Sequence, residues 1–272
     1  MADYLTYKGK RVVVSGCFSG MGEATAKLLL SLGAEVHGLD YKDSKLELAS
    51  FTRTDLRDPH SIDAAAAKIG GKLDALFNCA GLPQTFSPLE VMQVNYIGAR
   101  RLTEQLLPSM SAGSAVVSIS STAGLGWSRR IPLLMGLIQI DSYEGAVDWC
   151  RGNADTVREG YSFSKEVLIV WTMLNATRLI KRGIRMNCTL PGPTQTPMMA
   201  QFESASQASV IAAATQPINR RSTPEEQAGP LVFLNSDAAS YINGVALAVD
   251  GGFLGGIATG QIDPRSLMGA SA

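Results

Sequence analysis

Two side chains able to share a proton-transfer task stand four residues apart in Tyr161-Ser162-Phe163-Ser164-Lys165, at the head of a long apolar run. On a helix that spacing sets both on one face. A phenol titrates near pH ~10 and is a poor base at neutral pH until a neighbouring cation favours the phenolate. Lys165 would supply that cation. Taken alone, the pair also fits an ordinary helix with a packed Tyr and a solvated Lys, so other parts of the chain decide its meaning.

The N-terminal region offers a place for an anionic ligand. Arg11-Val12-Val13-Val14-Ser15 reads as a strand that runs into Gly16-Cys17-Phe18-Ser19-Gly20-Met21-Gly22 and then into a helical stretch, Glu23 to Leu32. Glycines let the backbone turn sharply and approach a diphosphate, and free N–H groups at a helix start favour negative charge. The spacing is Gly-x-x-x-Gly-x-Gly, not the Gly-x-Gly-x-x-Gly of the commonest dinucleotide fingerprint. A second strand-like run ends in Asp40, 18 residues after Gly22. A carboxylate there accepts hydrogen bonds from the adenosine ribose and repels a 2′-phosphate, which favours NAD over NADP. Lys42 works against that preference, whereas Cys17, Phe18 and Ser19 offer the phosphate no basic group.

Positioning such groups takes a regular scaffold. Strand-like runs at 11–15, 35–39, 73–78, 115–120, 184–190 and 245–249 alternate with helical ones at 21–32, 60–69, 88–108, 160–181 and 224–236. That alternation predicts a doubly wound (Rossmann-type) α/β fold, a parallel sheet with helices on both faces. The 272 residues suit a single domain, 1–272. In such sheets ligands bind beyond the carboxyl ends of the strands. The candidate residues collect there: Gly16 to Gly22, Asp40, Asn78-Cys79-Ala80-Gly81 and Ser120-Ser121.

Composition narrows the partners. A formal net charge of zero speaks against nucleic acid or an anionic membrane held by bulk charge and for a small neutral ligand. The longest apolar runs fall short of the ~20 residues that span a bilayer. Asp3, Lys8 and Lys10 stand where a signal peptide needs an apolar core, and Cys17, Cys79, Cys150 and Cys188 have neither metal-site nor disulfide spacing. Free thiols in a cytoplasmic protein are the expectation. His37 and His60 have no Cys or His cluster nearby, so no metal is expected; neither a Gly-x-Ser-x-Gly elbow nor a P-loop is present.

From about Gly9 to Gly252 the chain resembles the short-chain dehydrogenase/reductase family. Ser15-Gly16 through Gly22 is similar to the family's glycine turn, and Asp55-Leu56 to its adenine contact. Asn78 to Gly81 is similar to Asn-Asn-Ala-Gly, Asn95 to its helix asparagine, and Ser121 with Tyr161 and Lys165 to its catalytic residues. Pro191-Gly192-Pro193-Thr194-Gln195-Thr196-Pro197 resembles the loop at the nicotinamide end. The resemblance implies hydride transfer between an alcohol carbon and NAD. Tyr161 would be the general base, Lys165 would lower its pKa and hold the ribose, Ser121 would bind the reacting oxygen, and Asn95 would hold a proton-relay water, unless it bonds its own backbone. Cofactor contacts are implied for Gly16, Ser19, Gly20, Met21, Gly22, Asp40, Asp55, Leu56, Asn78, Ala80, Gly81, Tyr161, Lys165, Pro191, Thr194 and Thr196.

Three departures stand out. Cys79 replaces an Asn; Gly81 to Asn95 spans only 14 residues where the family usually has an additional helix; and Ser121 to Tyr161 spans 40 where the family has a much shorter link. The last two narrow the resemblance to bacterial members acting on coniferyl-type and steroid alcohols. A bulky aromatic, terpenoid or steroid-like alcohol or ketone is therefore the expected substrate, with a catalytically silent NAD-sensing interaction protein as the alternative. The resemblance implies association through the long helices equivalent to 88–108 and 160–181 and through the C-terminal strand region, so a homodimer or homotetramer is expected, the dimer if the insertion blocks the helix face. Within the insertion, about 125–158, Ile131-Pro132 opens one helix and Asp141 with Glu144 caps a second through Trp149. It is expected to wall or lid an apolar pocket with the Met198 to Phe202 part of a loop at 198–221; a surface hairpin packed on itself is the other reading.

Overall fold

Val12, Val13 and Val14 are all fully buried because strand β1 (Arg11–Ser15) is covered on both sides. Val13 joins one hydrophobic cluster while Val12 and Val14 join another, as the two-residue period of a strand requires. The computed structural model describes residues 4–206 and 208–263, so Asp3 and, within the 198–221 loop, Gln207 lie outside the described residues. The other strands are β2 (Glu35–Asp40), β3 (Ser50–Arg53), β4 (Leu73–Asn78), β5 (Met110–Ile119), β6 (Arg185–Pro191) and β7 (Ala246–Val249). All neighbours pair in parallel in the order β3-β2-β1-β4-β5-β6-β7, so the order reverses between β1 and β4 and opens a crevice there.

The doubly wound fold expected from the alternation is what forms. The alternation missed β3, whose Ser-Phe-Thr-Arg sits at the sheet edge with no fully buried residue and hence no apolar run to mark it. In chain order the helices are α1 (Gly20–Ser31), α2 (Pro59–Ile69), α3 (Pro88–Met92), α4 (Ala99–Leu106), α5 (Ile131–Ile138), α6 (Tyr143–Gly152), α7 (Ala154–Val157), α8 (Tyr161–Leu179), α9 (Met199–Ala205), α10 (Ala208–Ala213), α11 (Pro224–Asn235) and α12 (Phe253–Ala258). Helices α1 and α11 pack together on one face of the sheet; α2, α4 and α8 cover the other. The run 88–108 is broken by a π-helical segment, Gln93–Gly98, between α3 and α4. Gly98 packs on the Leu56 carbonyl, where a Cβ would come within 2.3 Å of the oxygen.

The insertion folds as α5, α6 and α7. Ile131-Pro132 does open α5, but the cap of α6 is Ser142, whose hydroxyl accepts from Gly145 N at 3.0 Å, and not Asp141. These helices neither wall the pocket nor pack only on themselves. Leu134 and Leu137 are fully buried in the cluster that holds Phe163, Val167 and Trp171 of α8. Trp149 stacks on Phe163 at 6.0 Å, and the Arg100 guanidinium donates to the Ile138 and Ile140 carbonyls at 3.1 and 2.7 Å. The 198–221 stretch, expected as a loop, contains α9 and α10. Among the described residues no helix is long and apolar enough to cross a membrane.

Candidate active site

Tyr161 is the first residue of α8, turned into place by Gly160 at φ +79°, whose Cα lies so close to Pro88 that a Cβ would sit 2.6 Å from its carbonyl oxygen. One turn on, Lys165 is buried, its Nζ donating to the Ile119 carbonyl at the end of β5 at 2.9 Å and lying 5.5 Å from the Tyr161 ring centroid. Ser121, two residues beyond β5, lines the same cavity as Tyr161 and is the side-chain hydroxyl neighbour that lowers its phenol. The same Ser121 oxygen accepts from Ala123 N at 3.1 Å and starts a 3₁₀ segment, Thr122–Arg129. Neighbouring Ser120 spends its hydroxyl on the Lys165 carbonyl at 2.9 Å, which separates the two serines cleanly. The three side chains expected to act together do meet.

Burial pushes the Tyr161 phenol above its ordinary value, and the Ser121 hydrogen bond pulls it back. Burial likewise pushes the Lys165 ammonium down to about 8, against the smaller opposing influence of Cys188 and Cys79. Desolvation therefore works against both ionised forms, and Ser121 offsets part of it for the phenol. Asn95 lies in the π-helical segment. Its Oδ1 accepts from Leu82 N at 2.7 Å, and its Nδ2 donates to the Leu82 carbonyl at 3.0 Å and to Ser164 Oγ at 3.2 Å. The side chain is thus engaged by Leu82 and Ser164, not by its own backbone, and braces the chain beside Gly81.

At the other end of the crevice, Gly16 has φ +75°, and a Cβ on it would come within 2.6 Å of the Ala80 backbone; one on Gly22 would lie 2.1 Å from Gly16 O. Only glycine permits this closeness. Helix α1 starts here from Ser19 with no side-chain cap, whereas α2, α3 and α11 are capped by Asp58, Ser87 and Thr223. Its first N–H groups are left for a ligand. A groove of about 280 Å³ runs past Gly16, Ser19, Asp40, Asp55, Leu56 and Ala80, and the uncapped helix start beside it suits the phosphates of a dinucleotide. Asp40, expected to meet the adenosine ribose, lines this groove and accepts from Phe18 N at 3.0 Å and Lys42 N at 2.9 Å, which braces the glycine turn.

Beside this groove, and sharing Ala80 and Gly81 with it, is a cavity of about 250 Å³ onto which Ser121, Tyr161, Lys165, Met21, Pro191 and Thr196 open. Its outer wall comes from α9 and α10: Met199, Phe202, Val210 and Ile211. Phe202 meets the Tyr161 ring edge-on at 4.9 Å. No residue of 124–160 lines it, which corrects the expectation for the insertion. The wall is latched to the loop after β4 by Gln84 Nε2 to Ser206 Oγ at 3.0 Å and Thr85 Oγ1 to Gln201 Oε1 at 2.8 Å.

Three expected contacts are diverted. Asn78 turns inside, its amide donating to Thr103 Oγ1 and Ser118 Oγ at 2.9 and 3.3 Å, so its side chain ties β4 to α4 and β5. Thr194 spends its hydroxyl on Gly192 O and Ser222 Oγ at 3.0 and 2.9 Å. Asp55 engages Arg57 through both oxygens, and that guanidinium holds its carboxyl below the usual range. Leu82, Gln84, Val210 and Ile211 line the cavity without having been singled out, because their place depends on long-range packing and no local motif marks them.

Comparisons with known proteins bear on the fold and the family. Family models described as "short chain dehydrogenase" and "Enoyl-(Acyl carrier protein) reductase" match residues 10–131 and 146–254. Coniferyl-alcohol dehydrogenase of Pseudomonas sp. (strain HR199 / DSM 7063) is 35% identical over 244 residues, covering 89% of this chain and 96% of the relative. The 3-alpha-hydroxysteroid dehydrogenase/carbonyl reductase of Comamonas testosteroni is 32% identical over 89% of this chain and 95% of its own. The structure of the 3-alpha-hydroxysteroid dehydrogenase from Pseudomonas sp. B-0831 complexed with NADH superposes with a TM-score of 0.78 at 28% identity, covering 93% and 99% of the two chains. The chain belongs to the short-chain dehydrogenase/reductase family of NAD(P)-dependent oxidoreductases.

Proposed function

We propose that this protein is an NAD-dependent dehydrogenase interconverting a bulky, uncharged, mostly apolar alcohol and its carbonyl compound. One observation carries the reading: Ser121, Tyr161 and Lys165 converge on a cavity in which, among the described residues, Lys165 is the single charged lining side chain. A carboxylate or phosphate on the substrate would find no dedicated counter-ion there, whereas the Met, Phe, Val and Ile side chains of α9 and α10 suit an aromatic, terpenoid or steroid-like body. The relatives named for coniferyl alcohol and a hydroxysteroid point the same way.

Tyr161 takes the hydroxyl proton of the alcohol, and Ser121 hydrogen-bonds the reacting oxygen as its charge changes. Lys165, still mostly protonated at neutral pH, favours the phenolate and reaches the cofactor ribose. Asn95 braces the backbone at 81–82 between them. NAD, when bound, supplies the hydride acceptor. Gly16 and Ser19 to Gly22 would hold its diphosphate, Asp40 its adenosine ribose, Leu56 the adenine, and Pro191 with Thr196 the nicotinamide end. Asp40 in place of a phosphate-binding base supports NAD over NADP. No observation favours a catalytically silent sensor.

A homodimer is proposed with this activity, because α5 and α6 cover α8 and the 88–106 helix, the surface relatives use for one of their interfaces. Light scattering tests it: a tetramer overturns the covering argument. The activity itself is tested by the absorbance of reduced nicotinamide with aryl, terpene and steroid alcohols set against hydroxy acids of similar size. Turnover of the neutral alcohols with NAD is expected; preference for the hydroxy acids or for NADP would overturn the assignment.

A further inference from the structure

Glu166, directly after Lys165, is a buried carboxylate that the chemistry above does not use. Its Oε2 accepts from Arg130 Nη1 at 2.7 Å, with the Glu166 side chain 6% exposed. Arg130 stands where the 3₁₀ segment after Ser121 becomes α5: its N donates to Trp127 O at 3.1 Å, and its carbonyl accepts from Leu134 N at 3.0 Å. The guanidinium lies 5.1 Å from the Phe163 ring centroid and reaches the Thr156 carbonyl at 3.4 Å, so it touches both ends of the insertion. On the inner side, a Cβ at Gly126 would lie 2.3 Å from Glu166 Oε1, and one at Gly124 2.9 Å from the Lys165 carbonyl carbon. The chain leaving Ser121 is thus pressed onto the backbone of Lys165 and Glu166. Among the described residues this is the one ion pair joining the Ser121 segment to α8.

We propose that Arg130 and Glu166 are positioning residues that hold Ser121 against Tyr161, so that the insertion serves the reaction by fixing this contact and not by touching substrate. Glu166 is buried while the Arg130 side chain is 34% exposed, and an apolar pair of similar volume is often as stable as a buried ion pair, so fold stability alone does not call for these charges. What they add is a directional link between two segments, and a misplacement of ~1 Å at a catalytic group costs on the order of 100-fold in rate. The Glu166 carboxyl is raised by burial and by Glu159, and Arg130 pulls it back down. Tyr161 is faced by Ser121 and Lys165, and Lys165 by Cys79 and Cys188.

The proposal rests on the dehydrogenase reading for its rate effect, but its main readout does not need turnover. Tyr161 ionisation is followed by ultraviolet difference titration against Tyr161→Phe, in Glu166→Gln, Arg130→Gln and the double variant Arg130→Met/Glu166→Leu. The apolar double variant keeps the packing if the single variants do not fold. Loosening Ser121 should raise the Tyr161 pKa, because Ser121 is a side-chain neighbour that lowers it. In folded protein, kcat should fall roughly 10- to 100-fold while the NAD dissociation constant stays within about twofold. A folded double variant with wild-type kcat and an unshifted Tyr161 titration overturns the proposal. If no alcohol is oxidised by the wild type, the dehydrogenase reading fails, while the titration still decides the Ser121–Tyr161 link.

Discussion

The insertion and the segment after β6 pose the same problem and solve it differently. Both carry apolar helices, and both begin next to residues that line the cavity. Yet α5 and α6 bury Leu134, Leu137, Ala146 and Val147 in the main core, whereas α9 has no fully buried residue and α10 only Ala213. The difference lies in what each apolar face meets. Helices α5 and α6 land on the exposed sides of α8 and the 88–106 helix, which have apolar surface to cover; α9 and α10 land on the open crevice and cover whatever it holds. Attachment to a candidate catalytic residue places a segment's ends, and packing decides where its side chains go.

The strongest test concerns the site between the two segments. Tyr161→Phe should lower kcat by roughly 10²- to 10⁴-fold with little change in NAD affinity, since it removes the base and keeps the ring on Phe202. Turnover within a few-fold of wild type would remove the site from the comparison altogether. Leu137→Asp places a carboxylate in the core side of the insertion, and should destabilise the fold by ~3 kcal/mol or more, seen as a lower Tm. If instead the protein stays stable and only KM for bulky alcohols rises, the insertion is a pocket wall after all.

Phe202→Ala is the counterpart on α9. It should raise KM for bulky alcohols ~10-fold through lost apolar contact and leave Tm nearly unchanged, because that helix contributes no buried residue to the core. Lys165→Met should give an inactive protein that melts a few degrees higher at neutral pH. Its folded pKa of about 8 lies below the ordinary value near ~10.4, so the wild type pays for a protonated, buried amine. That cost is full below pH 8 and fades as pH rises towards ~10.4, and so should the variant's advantage. An advantage that does not change with pH would assign it to packing. Smallest, Thr85→Val breaks the latch to Gln201, worth about 1 kcal/mol, and should change KM only a few-fold. A larger effect would show that α9 depends on the latch for its position over the cavity.

The glycine turn, the strand-end placement of Asp40 and of the serine after β5, and the pairing of Tyr161 with Lys165 on one helix face were legible because each is local: a turn that excludes Cβ atoms, a strand end, a one-turn helical spacing. The parallel fold followed from alternating runs for the same reason, and β3 escaped because an edge strand without buried residues leaves no pattern. Which side chains face the cavity was settled only in three dimensions. Asn78 matched a motif but turned inside to Thr103 and Ser118, and Leu82, Val210 and Ile211 matched none yet line the cavity. Such choices depend on contacts between residues far apart in the chain, Asn95 with Leu82 and Ser164, Arg130 with Glu166, Phe202 with Tyr161. A sequence carries the chemistry of each partner; the distances between them exist only once the sheet and both its layers have packed.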